Sequence, residues 1–308
     1  MLRVDLAAPS STPWRFAARF ELEAGSVLAL HGPSGAGKTT LLRAVAGLLP
    51  ADGALDLDGA DYRRLQAWQR PIGWVPQRQG LIPHWTPEQH LLALGGGLAV
   101  NVATALERLD LLRLRNRPAR ELSFGERQRL ALGRAVFSHR PLFLLDEPFS
   151  ALDAAARLEM GDLLMERVAE EKAYALLATH DLYEVQRLCQ RLCLIAEGKV
   201  IAEGPTESLL HSPPNARAAE LLGYHLLAGG IAVHPATASW QGAPGLATVD
   251  GVVLRALPRE FGWRVEMRDA AGRPFAADLG QDRRLPAVGE TLRVYFPDLR
   301  LSPSADGE

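Results

Sequence analysis

The sequence has few cysteines, no strong excess of one charge and no long apolar run. Its 308 residues include only two cysteines, Cys189 and Cys193, and their spacing predicts core packing on one helix face rather than a zinc site. The formal net charge is −2 and like charges do not gather in blocks, so we expect no nucleic-acid partner. No apolar stretch approaches the ~20 residues that cross a bilayer. These absences predict a chain that is soluble by itself or peripheral to a membrane.

Apolar patterns along the chain predict two kinds of domain. Buried strands such as SVLAL, PLFLLD and AYALLAT alternate with helical patterns, which predicts a largely parallel sheet covered on both faces. A Leu- and Ala-rich segment over 86–120, interrupted by Gly95, Gly96 and Gly97, predicts a helical insertion. After HSPPN the pattern changes to short strands with turn signals. We therefore predict an α/β domain over residues 1–222 and a small all-β domain over 223–308.

A glycine-rich segment, GPSGAGKT, lies between a predicted strand and a predicted helix. It fits the pattern G-x-x-x-x-G-K-[ST], in which glycines let backbone N–H groups face phosphate oxygens and the helix start adds partial positive charge. Lys38 would reach the β- and γ-phosphates, and the Thr39 hydroxyl would help to hold Mg²⁺. The alternative is a tight glycine turn. The predicted nucleotide-binding residues of this segment are Gly32, Pro33, Ser34, Gly35, Ala36, Gly37, Lys38, Thr39 and Thr40.

Two carboxylates and a histidine end two other predicted strands. Asp146 and Glu147 follow FLL, and His180 follows LLAT. Because ligands bind at the carboxyl ends of strands in an open parallel sheet, we expect all three side chains near the nucleotide. One acid can serve Mg²⁺ while its neighbour accepts a proton from attacking water, and the histidine can position phosphate or water. The alternatives are an acidic pair that caps the next turn and a structural histidine.

A second polar, glycine-marked helix start lies downstream, in the segment ELSFGERQR. Ser123 and Glu126 form an S-x-x-E capping box, which requires no ligand. A helix start with Ser123, Gly125 and exposed N–H groups is also an anion site. Since the phosphate loop already serves the chain's own nucleotide, this second site could grip the γ-phosphate of a nucleotide on another copy.

Taken in order, these motifs resemble the ATP-binding subunits of ABC transporters over roughly residues 1–222. The order is phosphate loop, glutamine loop (WVPQRQG), signature (LSFGERQR), acidic strand (LFLLDEP), SALD and a switch histidine. The resemblance implies a P-loop NTPase fold with a helical subdomain, ATP and Mg²⁺ as ligands, and a homodimer or paired subunit packed head to tail. Phe124 stands where the signature usually has glycine, Glu126 stands where glutamine is common, and His31 before the loop is unusual.

The resemblance also implies roles for single residues. Glu147 would be the general base and His180 the second catalytic residue, while Gln77 would join Thr39 and Asp146 at the metal. Trp14 would stack on adenine. The residues that would contact the nucleotide held by the partner subunit are Ser123, Gly125, Glu126 and Asp153.

The tail resembles the small OB-like domain appended to the ATPases of many solute importers. This likeness implies an importer subunit, peripheral on the cytoplasmic face of the inner membrane, that works with an integral membrane permease and, indirectly, a solute-binding protein. Molybdate or a related oxyanion is the first expectation for the solute. The alternatives are sulfate, iron, sugar or polyamine import, or an exporter. A small-molecule phosphotransferase would have no use for the signature segment.

Overall fold

The computed structural model describes residues 1–94, 101–226, 231–243, 246–259, 262–280, 285–297 and 299–300. The chain divides into two compact units, Met1–Glu207 and Ser208–Glu308. This division falls after residue 207, whereas the sequence predicts a domain boundary after residue 222, so the helix Ala216–Leu221 goes with the second unit. Every predicted site residue lies in the first unit.

The first unit alternates strands and helices. Its strands are β1 Leu2–Ala7, β2 Ala17–Leu22, β3 Ser26–His31, β4 Asp52–Leu57, β5 Ala60–Asp61, β6 Ile72–Val75, β7 Leu142–Asp146, β8 Tyr174–Thr179, β9 Arg191–Ala196 and β10 Lys199–Pro205. Its helices are α1 Lys38–Val45, α2 Pro87–Leu92, α3 Val102–Arg108, α4 Phe124–Val136, α5 Ala154–Glu171 and α6 Leu182–Leu188, and α7 Thr206–His211 crosses the division. Short 3₁₀ turns lie at Tyr62–Arg64, Ala67–Gln69, Leu112–Leu114 and Ala119–Glu121.

These strands form one sheet in the order β5-β4-β1-β2-β10-β9-β3-β8-β7-β6. The neighbours from β9 to β6 are parallel, as predicted. By contrast, β1 pairs antiparallel with both β2 and β4, and β10 pairs antiparallel with β9. The predicted parallel sheet is therefore confirmed for its central part. On the other side β10 is parallel to β2 and the remaining pairs are antiparallel. The antiparallel pair of β9 and β10 follows from a two-residue connection that returns the chain directly.

The burial patterns of the strands match their places in the sheet, and their register shows which strand ends share one edge. β7 and β8 are buried along their whole length, as expected for strands covered on both faces, whereas β2 alternates exposed and buried residues. In the parallel register His31 lies opposite Thr179, and Asp146 lies opposite Ala178. The sheet therefore brings the ends of β3, β7 and β8 to one edge, where the phosphate loop begins.

The segment predicted as a helical insertion does contain helices. It holds α2, α3 and the last two 3₁₀ turns, and α2 begins with a capping box between Thr86 and Gln89. The predicted interruption at Gly95, Gly96 and Gly97 lies outside the described residues. Within the described ranges, no helix is both long enough and apolar enough to span a membrane.

The two cysteines are buried thiols, but they do not share a helix face. Cys189 caps the end of α6, whereas Cys193 lies in β9 beside β3. The prediction of a shared helix face is wrong, because α6 ends before Cys189 and the chain then enters β9. Core packing is confirmed, and burial raises the pKa of both thiols.

The second unit is built mainly of antiparallel strands. After α8 Ala216–Leu221 come β11 His225–Leu226, β12 Ile231–Val233, a 3₁₀ turn Pro235–Thr237, β13 Leu246–Arg259, β14 Gly262–Asp269, β15 Pro274–Gly280, β16 Thr291–Pro297 and β17 Leu299–Arg300. Four strands form a sheet in the order β15-β14-β13-β16, and three form a second one, β11-β12-β17. Val253, Val265 and Phe296 lie in its apolar core. This architecture agrees with the predicted small all-β domain.

Candidate nucleotide-binding site

The phosphate loop curls between β3 and the first turn of α1. Gly35 and Gly37 have φ angles of +81° and +105°, a conformation that strains residues with a side chain. A Cβ on Gly37 would also lie 3.3 Å from the Cα of Gly198. Because Gly37 is the N-cap of α1 and has no side chain, the first backbone N–H groups of the helix have no side-chain cap from that residue. These N–H groups are suited to binding phosphate oxygens.

Lys38 is buried, and its ammonium folds back over the loop. Nζ donates to the carbonyl oxygens of Gly32 at 2.6 Å and Pro33 at 2.9 Å. Burial lowers the pKa of Lys38, and the carboxylates of Glu147 and Asp146 act in the opposite direction. Phosphate oxygens are stronger acceptors than carbonyl oxygens, so Lys38 is placed to exchange the loop carbonyls for the phosphates of a nucleotide.

Thr39 and Asp146 meet where α1 faces the end of β7. The Thr39 hydroxyl donates to Asp146 Oδ2 at 2.8 Å and lies 3.1 Å from Oδ1. Burial raises the pKa of Asp146, and the hydrogen bond from Thr39 lowers it. Hydroxyl and carboxylate oxygens are ligands that Mg²⁺ prefers, and a cation would offset this buried negative charge. The two residues therefore fit a magnesium site.

Glu147 and His180 face each other at the ends of β7 and β8. Glu147 Oε1 lies 3.3 Å from His180 Nδ1. The Glu147 backbone has φ +51°, which is uncommon for a residue with a side chain, and its N–H donates to Ala178 O at 2.9 Å. The Glu147 side chain is 23% exposed and that of His180 66%, so water reaches both. A carboxylate in this position can accept a proton from water.

Gln77 and Trp14 lie on segments next to these residues. Gln77 is exposed two positions after the end of β6, which runs parallel to β7. Trp14 packs partly buried against the first-unit core, and among the described residues its indole N–H has no hydrogen-bond partner. The carbonyl oxygen of Arg15 would lie 3.8 Å from a Cβ on Gly37, so the Trp14 segment passes beside the phosphate loop. Adenine stacking by Trp14 stays a prediction.

The signature segment forms the start of α4. Ser123 Oγ accepts from the Glu126 N–H at 3.2 Å, and Glu126 Oε2 accepts from the Ser123 N–H at 2.6 Å. The predicted capping box is therefore confirmed. Ser123 is exposed, and its hydroxyl keeps a hydrogen for donation. A Cβ on Gly125 would lie 3.3 Å from Ala151 O, so glycine permits the close approach of the SALD segment.

Asp153 and Phe124 lie at the starts of α5 and α4. Asp153 caps α5, because its Oδ1 accepts from the Ala156 N–H at 2.9 Å. Phe124, which replaces the usual glycine, is 55% exposed, and the guanidinium of Arg127 lies 5.7 Å from its ring centre. The aromatic ring therefore projects from the signature without filling the core.

Comparison with known proteins identifies the family. The family described as ABC transporter matches residues 17–150. The thiamine import ATP-binding protein ThiQ of Shigella flexneri serotype 5b (strain 8401) is 38% identical over 214 residues, which cover 67% of this chain and 91% of that protein. This chain belongs to the ATP-binding subunits of ABC transporters. It is therefore an ABC-type ATPase.

Further relatives and solved structures agree with this membership. ThiQ of Cereibacter sphaeroides is 41% identical over 206 residues, which cover 64% of this ABC subunit and 89% of the relative. A solved ATP-binding subunit of an ABC transporter superposes with a TM-score of 0.59 at 27% identity, over 68% of this chain and 92% of that one. A dimeric ATP-binding cassette with bound ADP and Pi shares the fold, with a TM-score of 0.59 at 23% identity, over 67% of this chain and 99% of that one.

In this ABC subunit a group of polar residues surrounds His180, and the sequence did not predict their contacts. The Thr179 hydroxyl donates to the buried Glu184 Oε2 at 2.6 Å, and Arg157 Nη1 donates to Asp181 Oδ2 at 2.9 Å. Burial raises the pKa of Glu184. Thr179, before His180, is thereby tied to α6, and Asp181, after it, is tied to α5. The spacing of Asp181 and Glu184 resembles a helix cap, and nothing local indicates that Glu184 turns inward.

A second missed group is a pair of glutamines, Gln79 and Gln128. Gln79 Nε2 donates to Gln128 Oε1 at 3.0 Å, and the Gln128 side chain is buried. Glutamine is mostly exposed in proteins, and 49 positions separate the two, so the sequence carried no signal for this contact.

Proposed function

We propose that this chain hydrolyses ATP as one of two paired subunits that drive a solute through an integral membrane permease. The main support for ATP hydrolysis at this site is the 3.3 Å contact between Glu147 and His180, at the same edge of the sheet as the phosphate loop. The names of the relatives, which are import ATP-binding proteins, support import rather than export. On this proposal the chain is peripheral on the cytoplasmic face of the inner membrane, and a solute-binding protein delivers the solute.

The catalytic steps follow from the positions of the side chains. Lys38 and the N–H groups of the loop hold the β- and γ-phosphates. Thr39 and Asp146 would hold Mg²⁺, with Gln77 as a further proposed ligand, and the ion would supply positive charge to the phosphate oxygens. Glu147 accepts a proton from the water that attacks the γ-phosphorus, and His180 positions that water or the phosphate.

The signature segment supplies the second half of each site. Ser123 accepts a hydrogen bond within its capping box, yet its own O–H is available to a γ-phosphate on the other subunit. Gly125 keeps side-chain atoms out of a helix start that already packs against Ala151 O, and Glu126 and Asp153 would lie at the same seam. A head-to-tail pair of subunits would thus hold each ATP between one phosphate loop and one signature.

Mixed dimers test this arrangement. Gly125→Asp places a carboxylate where the γ-phosphate of the partner would lie, and Lys38→Ala removes the ammonium. We expect each variant alone to be inactive and a mixture to recover ATPase activity, because one composite site keeps both halves native. The control mixes two differently tagged Lys38→Ala preparations, which should stay inactive. Tagged mixed dimers that form without any activity would contradict sites shared between subunits.

For the solute, thiamine takes precedence over the molybdate predicted from the sequence, because the relatives described above carry thiamine in their names. Uptake of labelled thiamine and molybdate can be measured in cells whose only copy carries Lys38→Ala. Loss of thiamine uptake alone supports the proposal. Loss of molybdate uptake alone restores the oxyanion prediction, and loss of neither, with no redundant importer, points to another solute such as sulfate, iron, sugar or polyamine.

A further inference from the structure

A buried glutamine side chain on α4 links three segments of the site. Gln128 is 1% exposed, and both ends of its amide are used. Its Oε1 accepts from Gln79 Nε2 at 3.0 Å, and its Nε2 donates to Pro148 O at 2.8 Å. Pro148 directly follows Glu147, and Gln79 lies two positions after Gln77 in the glutamine loop.

The glutamine-loop end of this link is held from more than one side. Gln79 Nε2 also lies 3.4 Å from Phe124 O in the signature, and Arg127 Nε lies 3.4 Å from Gln79 Oε1. The Gln79 backbone has φ +30°, an unusual value for a residue with a side chain. The glutamine loop is thereby held against the first turns of α4 by side chains.

The other end of the link reaches the general base. Glu147 has a left-handed backbone, a conformation that persists only where neighbouring contacts fix it. Its N–H is bonded to β8, and its carbonyl oxygen accepts from the Ser150 N–H at 3.4 Å. The bond from Gln128 fixes the next peptide of the same turn, at Pro148 O.

An apolar side chain would fill this buried position at lower cost, because a buried amide must have its hydrogen bonds made to be tolerated. We propose that Gln128 is a positioning residue for Glu147, and that it couples the general base to the signature helix and, through Gln79, to the glutamine loop. A displacement of α4 on arrival of the partner's nucleotide would then move the carboxylate of Glu147. This inference rests on the proposed catalytic role of Glu147.

The test compares Gln128→Met with a control on α5, Arg167, whose side chain contacts the C-terminal end of α4. Gln128→Met keeps the size of the side chain and removes both hydrogen bonds. We expect kcat for MgATP hydrolysis to fall by ~10–100-fold while KM changes little, because a misplaced general base slows chemistry and Lys38 still holds the phosphates. The control, Arg167→Met, removes the bond from Arg167 Nε to Val136 O at 3.4 Å. It should lower the melting temperature without lowering kcat.

A milder variant, Gln79→Ala, keeps the test decisive if Gln128→Met does not fold, because a native kcat in Gln79→Ala alone would then overturn the coupling to the glutamine loop. Gln79→Ala removes only the outer half of the link, and we expect a smaller loss of kcat. Combined with Gln128→Met it should cause no further loss, because the two residues act through one contact. A native kcat in Gln79→Ala and Gln128→Met, or fully additive losses, would overturn the inference.

Glu147→Gln, assayed alongside, separates this inference from the proposed function. If Glu147→Gln retains the native rate, the assigned base is wrong and the proposed function fails with the inference. If Glu147→Gln is inactive while the Gln128 and Gln79 variants keep the native kcat, only the inference fails. A loss of kcat that parallels a loss of melting temperature in every variant, Arg167→Met included, would reduce Gln128 to a structural role.

Discussion

Two helix starts in the first unit have glycine-marked sequences, yet their N-terminal groups are held differently. α1 begins after Gly37, which has no side chain to cap the helix. α4 begins after Ser123, whose capping box with Glu126 pairs two backbone N–H groups within the chain itself. The first start depends on a ligand to satisfy its N–H groups, whereas the second is partly satisfied without one.

This difference is consistent with the two distinct half-sites that we propose for each chain. The phosphate-loop side has the buried ammonium of Lys38, the Thr39 and Asp146 oxygens that fit Mg²⁺, and a carboxylate that water reaches. It is therefore suited to bind a nucleotide and to hydrolyse it. The signature has a hydroxyl hydrogen to donate and close backbone packing at Gly125, but its helix start is already capped. It is therefore suited to complete a site that another subunit has largely assembled.

The largest effect is expected on the phosphate-loop side, at the proposed general base. Glu147→Gln removes the proton acceptor and keeps the shape of the side chain, so hydrolysis should fall by ~10²–10⁴-fold while ATP still binds. Single-turnover hydrolysis and equilibrium ATP binding measure the two quantities. The control is Glu159→Gln, at an exposed glutamate of α5, which should leave both unchanged.

A smaller but still large effect is expected for the buried ammonium. Lys38→Met should lower kcat by ~10²–10³-fold, the usual loss when one preorganised donor to a developing charge is removed. The effect should also appear as weaker ATP binding, because on the proposed mechanism Lys38 contacts phosphate in the ground state as well. Near-native binding and turnover in this variant would show that the two helix starts do not differ as described.

The two members of the capping box should separate stability from catalysis. Ser123→Ala and Glu126→Ala each remove one capping hydrogen bond, so each should destabilise the protein by about 1 kcal/mol. Ser123→Ala should also lower kcat, and by more than Glu126→Ala does, because it removes the hydroxyl that would meet the partner's phosphate. Thermal denaturation and ATPase assays on both variants measure this, and equal kcat values would return the signature to a capping role.

The smallest effect concerns the buried carboxyl of Asp146. Burial raises its pKa in the folded protein above the unfolded value of ~3.9, so the folded state carries a charge penalty that grows as the pH rises through the folded pKa. Asp146→Asn should therefore raise the melting temperature of the ligand-free protein at neutral pH, by ~2–4 °C if about 1 kcal/mol is relieved. The gain should vanish at pH values below the unfolded pKa. A lower melting temperature at neutral pH would contradict this sign.

Much of the fold and of the predicted site could be inferred from local patterns. The buried runs of β7 and β8, the strand, loop and helix around Lys38, and the capping box at Ser123 depend on residues within a few positions of each other. The strand ends also predict that Asp146 and His180 share one edge, because parallel strands deliver their carboxyl ends together.

Other features depend on contacts between distant parts of the chain, and local patterns do not encode them. The antiparallel side of the sheet, the place of Cys193 in β9 and the inward turn of Glu184 all follow from which segments become neighbours. The tail shows the same limit, since turn signals predict its strands and not their grouping into two sheets.

The order of the motifs, the predicted phosphate-binding residues and the alternation of strand and helix can be read from the amino-acid sequence alone, because backbone preference and side-chain periodicity act over a few residues. Three further features depend on tertiary packing: Gln128 reaches the peptide after Glu147, Lys38 is buried on its own loop, and Arg157 bonds to Asp181 beside His180. Such contacts arise when packing excludes water from polar groups far apart in sequence, and each group must then find a partner at the site where the fold has placed it.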